Sequence, residues 1–112
     1  MKYMMFVATD TEPDSSTEPP ADIEEWFADA NDRGKWVTGD RLRPLEDATT
    51  VRVRSGELLV TDGPFTESKE WICGFDVLDC ADLDEAIEIA SKHPMARGGR
   101  LELRPFWPID EG

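Results

Sequence analysis

Alternation of apolar and polar positions divides the chain into strand-like and helix-like stretches. Residues 2–9 form an apolar run suited to a buried strand, with Met4, Phe6 and Ala8 on one face and Tyr3, Met5 and Val7 on the other. Acids and prolines interrupt it, so residues 10–20 are expected to form a flexible polar loop. Helical spacing follows. Ile23, Trp26, Phe27 and Ala30 recur at i, i+3, i+4 and i+7, with Pro20 suited to the helix start and Gly34 to the left-handed residue past its end. Residues 35–39 predict a short strand. Residues 49–61 alternate on both sides of Ser55-Gly56, which is a hairpin signal; Val51 and Val53 share one face and Arg52 and Arg54 the other. In residues 71–79, Trp71, Cys73, Phe75 and Val77 face one way, and Ile72, Gly74 and Leu78 the other. The clearest helix lies within residues 81–94. Asp82 can cap it, Glu85 follows at the capping-box spacing, Leu83, Ala86, Ile87 and Ala90 line one face, and Pro94 is expected to stop it. Residues 99–107 return to alternation, with Leu101 and Leu103 opposite Glu102 and Arg104.

The order strand, helix, strand or hairpin, strand, helix, strand predicts one α+β domain over residues 1–112. Two amphipathic helices can cover one face of a four-stranded sheet. The first strand and the strand after Trp71 are nevertheless apolar on both faces. The uncovered face needs a partner, and the same face of a second copy is the simplest one, so a homodimer is expected from patterning.

Charge narrows the partners. The 112 residues hold 12 Lys and Arg against 25 Asp and Glu, a formal net charge of -13. Nucleic acid and anionic membrane surfaces both need clustered bases and are not expected partners. Residues 10–32 carry nine acids and no base, so most of the excess is a loop and one helix face, and the rest of the chain is nearly balanced. Residues 1–16 show neither a signal-peptide nor a membrane-anchor pattern, which makes the cytoplasm the expected location. Cys73 and Cys80 have no CxxC spacing and fall on opposite faces of a continuous strand. A disulfide between them, a structural zinc site, or any other metal or cofactor is not expected.

One segment concentrates chemistry. Residues 61–70 place a Gly-Pro turn, an aromatic ring and several ionisable groups together. Gly63 and Pro64 make a rigid platform. Asp62 and Glu67 are candidates for acid–base work, and Lys69 for holding an anionic group. The alternative is a tight turn in which Asp62 bonds nearby backbone, Phe65 plugs the core edge and the remaining charges are solvated. Arg41 and Arg43, before Pro44, either bind a carboxylate or phosphate or balance neighbouring acids. His93, the single histidine, sits where a helix C-terminus would favour its cationic form. Trp26 and Trp36 suit either core or cleft, and Trp107 suits an interface.

The sequence resembles the YCII-related family, and within it the subgroup named for an Asp-Gly-Pro-Phe (DGPF) signature. The resemblance rests on Asp62-Gly63-Pro64-Phe65, on Glu67, Lys69 and Glu70, on Gly74-Phe75, and on Leu83-Asp84-Glu85-Ala86, Pro94, Glu102 and Arg104-Pro105. It implies a ferredoxin-like sandwich, an antiparallel sheet with two helices on one face, pairing into a dimeric α/β barrel. It also implies a small-molecule cleft by the signature, with Asp62, Glu67 and Lys69 as candidate catalytic groups and Arg41, Gly63, Pro64, Phe65 and Arg104 as ligand contacts. Some members of the wider family are proposed to be enzymes using a His-Asp pair with the His on the first helix. This chain has Trp26 and Asp29 there, so that mechanism does not carry over. Neighbouring genes of the subgroup suggest a different role, as a non-catalytic partner of a regulator such as an extracytoplasmic-function sigma factor.

Overall fold

The computed structural model describes residues 1–19, 21–63 and 71–111. The elements, in order, are β1 (Lys2–Ala8), α1 (Ile23–Asp32), β2 (Trp36–Arg41), β3 (Thr49–Arg54), β4 (Glu57–Asp62), β5 (Ile72–Asp79), α2 (Leu83–Ser91), α3 (Met95–Gly98) and β6 (Arg100–Pro105). A four-stranded antiparallel sheet runs β2-β5-β1-β6, and β3 and β4 form a separate two-stranded hairpin. With the hairpin set aside, the chain runs strand-helix-strand twice, and the two halves interleave so that β1 and β5 are central and β2 and β6 lie at the edges. This is a ferredoxin-like α+β arrangement.

Local signals place the helix ends. Asp22 caps α1 by accepting from Glu24 N–H at 2.8 Å. At its other end Gly34 takes φ +69, Gly34 N–H bonds Asn31 O at 3.0 Å, and Lys35 N–H bonds Ala30 O at 2.9 Å. These two bonds close a Schellman motif, and only the left-handed residue between them lets the chain leave the helix this way. Asp82 accepts from Glu85 N–H at 2.9 Å, while Glu85 Oε1 reaches back to Ala81 N–H at 2.9 Å, a capping box displaced by one residue. Pro94 does stop α2, but its own φ of -57 suits a first turn, and a further helix, α3, begins directly after it. The polar loop is tied to that helix. Arg97 bonds Asp14 Oδ2 at 2.8 Å and the carbonyls of Pro19 and Glu18 at 2.9 and 3.0 Å.

The core lies between the sheet and α1 and α2. Tyr3, Met5, Val7 and Leu78 point from the sheet against Trp26, Ala30, Ala86, Ile89 and Ala90. Trp26 links the helices: its Nε1–H donates to Ile89 O at 2.8 Å, satisfying a carbonyl in the last turn of α2. The opposite face of β1 and β5 presents Met4, Phe6, Phe75 and Val77, with Phe6 opposite Phe75 and Met4 opposite Val77.

The hairpin turns at Ser55 (φ 52) and Gly56 (φ 76), both left-handed as a two-residue primed turn requires. It packs mainly on itself. Val51 pairs with Val60 and Val53 with Leu58, so these four side chains form one apolar stripe, each 58–64% exposed. Among the described residues, no helix is long and apolar enough to cross a membrane.

Candidate functional site

A cavity of about 810 Å³ lies where the N-terminal half of α1 faces the β2 edge of the sheet. Its walls are Ile23, Trp26 and Phe27 from α1, Trp36 from β2, Trp71 just before β5, His93 from the link after α2, and Met95 at the start of α3. Its floor is open because small residues stand there: Gly39 opposite Asp76, and Gly74 opposite Arg41. The rings are locked by mutual edge contacts. Phe27 meets Trp36 at 4.7 Å between centroids, and Trp26 meets His93 at the same separation. The size matches a small-molecule site, and the lining has the usual form of apolar rings with few polar groups.

Those polar groups are Asp76, His93, Asp40, Arg41 and Arg43, the last exposed and paired with Asp47 at 3.0 Å. Asp76 Oδ1 accepts from Trp36 Nε1–H at 2.8 Å. Burial, with the negative charge of Asp40 as a lesser contribution, pushes the Asp76 carboxyl above the ordinary carboxylate range, although the Trp36 hydrogen bond opposes this. Gly39 makes the placement possible, since a Cβ there would lie 2.6 Å from Asp76 Oδ1 and 2.5 Å from Phe75 O. His93 is 6% exposed, and burial lowers it from 6.5 to about 4, so the ring is neutral at physiological pH. Its Nδ1 accepts from Met95 N–H at 2.9 Å, which places the proton on Nε2. The expected cationic cap on the helix dipole is therefore overturned. Desolvation by Trp26 and the core outweighs a terminal dipole.

The sequence candidates are dispersed. Arg41 lies on the cavity wall and is exposed. Asp62 ends β4, opposite Thr49, and is exposed at the hairpin base. Gly63 stands beside it with φ +94; its N–H bonds Ala48 O at 2.7 Å and its carbonyl accepts from the Thr50 hydroxyl at 2.8 Å. Arg104 is on β6, opposite Met4, at the far edge of the sheet from Arg41. Three strand spacings, roughly 14 Å, separate the two arginines. Pro64, Phe65, Glu67 and Lys69 lie outside the described residues. Trp71, the first described residue after them, lines the cavity.

The residue that sequence reading passed over is Asp76. A signal for it exists. In residues 72–79 it shares parity with Gly74 and Leu78, so it is a carboxylate on the helix-facing side of an otherwise apolar strand. Cys73 and Cys80 are both free thiols.

Interleaved strands, helices on one face and a cleft against the edge strand define a ferredoxin-like α+β domain. The model of the YCII-related domain matches residues 1–110, and the chain belongs to that family. The chain is also 44% identical over 75 residues to an uncharacterised protein of Rhizobium meliloti strain 1021. That match covers 65% of this chain and 60% of the relative's length.

Proposed function

We propose that the protein is a cytoplasmic homodimer that binds a small molecule in the aromatic cavity, with Arg41 holding an anionic group of the ligand at the mouth. The observation that carries this reading is the cavity itself: a preformed space lined by the five rings of Trp26, Phe27, Trp36, Trp71 and Phe75 and few convergent polar groups. Arg41 supplies a planar donor fork suited to a carboxylate or phosphate. Asp62-Gly63-Pro64-Phe65, Glu67 and Lys69 remain ligand candidates in the proposal on their chemistry, and Trp71, which follows them in sequence, lines the cavity.

A screen of small metabolites for raised melting temperature tests the ligand half. Any hit is expected to lose most of its shift in Arg41→Ala and to keep it in Arg54→Ala, a substitution at the hairpin tip. Equal shifts in the two variants would remove Arg41 from the site.

Homodimerisation is supported by the apolar hairpin stripe and by half-buried Met4, Phe6 and Phe75 on the sheet face away from the helices. Light scattering at micromolar concentration should give twice the chain mass of 12.6 kDa. A monomeric mass contradicts it. The same stripe favours a second reading, an accessory protein that docks on a regulator such as an extracytoplasmic-function sigma factor. In that case the free chain is monomeric and acquires mass only with such a partner.

A further inference from the structure

One carboxylate of the cavity is held in an unusual setting. Asp76 lies on the helix-facing side of β5, between Gly74 and Leu78 along the strand. Its carboxylate rests across the neighbouring strand at Gly39, in the space that any Cβ would take. Trp36 fixes Oδ1 with its indole N–H. Among the described residues, Oδ2 has no hydrogen-bond partner. Among the described residues, the charge that acts on Asp76 is the like charge of Asp40, and no basic group contributes. His93 supplies no cation, because it is buried and neutral. Arg41 stands two residues further along β2, exposed, and forms no ion pair with Asp76.

A carboxylate oxygen that accepts from no described residue, facing the open part of a cavity walled by indole and phenyl rings, is a ready acceptor for a ligand that brings both hydrogen bonds and positive charge. An ammonium supplies both. It carries donors for Oδ2, and it is attracted to the faces of Trp and Phe rings. An anionic group at the same depth would meet the repulsion of Asp76 and Asp40.

We propose that the ligand of this cavity carries a protonated amine on an apolar body, with the Asp76 carboxylate receiving the amine and the rings of Trp26, Trp36 and Trp71 enclosing it. The proposal rests on the cavity being a ligand site. It adds the chemical class at the inner end, opposite the anionic group assigned to Arg41, and so describes an amphoteric or amine-bearing small molecule.

The test uses probes of one shape and different charge: 2-phenylethylamine, its neutral counterpart 2-phenylethanol, and the anion 3-phenylpropanoate. Each is titrated into the full chain and into Asp76→Asn, with binding followed by amide and indole chemical shifts. The wild type is expected to bind the amine about tenfold more tightly than the alcohol, a factor typical of one desolvated charge contact. In Asp76→Asn the amine and alcohol are expected to bind within about twofold of each other, and the alcohol affinity should match the wild type, which also shows that the cavity is intact. If the alcohol binds the wild type as tightly as the amine, the amine proposal fails while the cavity remains a ligand site. The same holds if 3-phenylpropanoate binds best. If none of the three binds, the cavity reading falls, and the amine proposal falls with it.

Discussion

Replacing Trp26 with alanine should destabilise the fold by about 3–5 kcal/mol, the range for removing a large buried aromatic side chain. Trp26 is 6% exposed and does three things at once. It fills the space between α1 and the sheet, it forms a wall of the cavity against His93, and its indole closes the α2 carbonyl of Ile89 at 2.8 Å. Alanine loses the volume and the indole hydrogen bond, leaving the carbonyl only the longer bond from Lys92 N–H at 3.2 Å. Trp26→Phe keeps most of the volume and loses the hydrogen bond, so about 1–3 kcal/mol is expected. Urea unfolding reads both, with the dependence on denaturant unchanged and the midpoint lowered. A loss under 1 kcal/mol for the alanine variant would show that Trp26 is not a core residue.

Acid should weaken the fold well before its carboxylates titrate, and His93 is the cause. Its folded value is about 4 against an ordinary 6.5, so the unfolded chain takes the proton more readily. The stability linked to its neutrality is complete above pH 6.5 and falls away as pH drops towards 4. The loss approaches roughly 3 kcal/mol at the low end and about 2 kcal/mol at pH 5. Other groups facing the change act elsewhere or oppositely. Asp14, Glu85 and Glu88 are held below their ordinary values by Arg97, by the Ala81 N–H with Lys35, and by Lys92 with Arg33 respectively. Their contributions are present at neutral pH and are lost only below about 4.5. Asp76 is raised, so its folded form gains protons first and offsets part of the His93 loss near the bottom of the window. In His93→Asn, an amide oxygen can still accept from Met95 N–H, and the slope between pH 6.5 and 4.5 should flatten. A slope that persists in that variant would place the titration on another group.

The sequence and the structure agree where the chemistry is local. Asp82 and Glu85 specify a helix start through their own side chains, and Ser55-Gly56 specifies a primed turn by its backbone freedom. The two faces of β1 and β5 follow from strict alternation. What was not legible depends on distant packing. Nothing in the alternation of residues 49–61 says that this hairpin stays outside the main sheet, because the same pattern would serve an edge strand. His93 looks like a helix-end cation until Trp26, from far along the chain, buries it. Pro94 ends one helix by rule and begins another by the same fixed φ. The candidate site shifted for a related reason. Residues 61–70 cluster ionisable groups in sequence, whereas the cavity gathers Trp26, Trp36, Gly39, Trp71, Asp76 and His93 from separate elements. Among the described candidates, Arg41 and Arg43, with Trp26 and Trp36, belong to both pictures.

The family assignment and the fold describe a scaffold, and the central claim is that its aromatic cavity is where the ligand goes. The indole N–H signals of the four tryptophans report on this directly. Trp26, Trp36 and Trp71 line the cavity, while Trp107 is 78% exposed beyond β6. During a titration with 2-phenylethylamine, the signals of Trp26, Trp36 and Trp71 should move together along one saturation curve while Trp107 stays in place. Movement confined to Trp107, or no saturable movement of the three cavity signals, would contradict it.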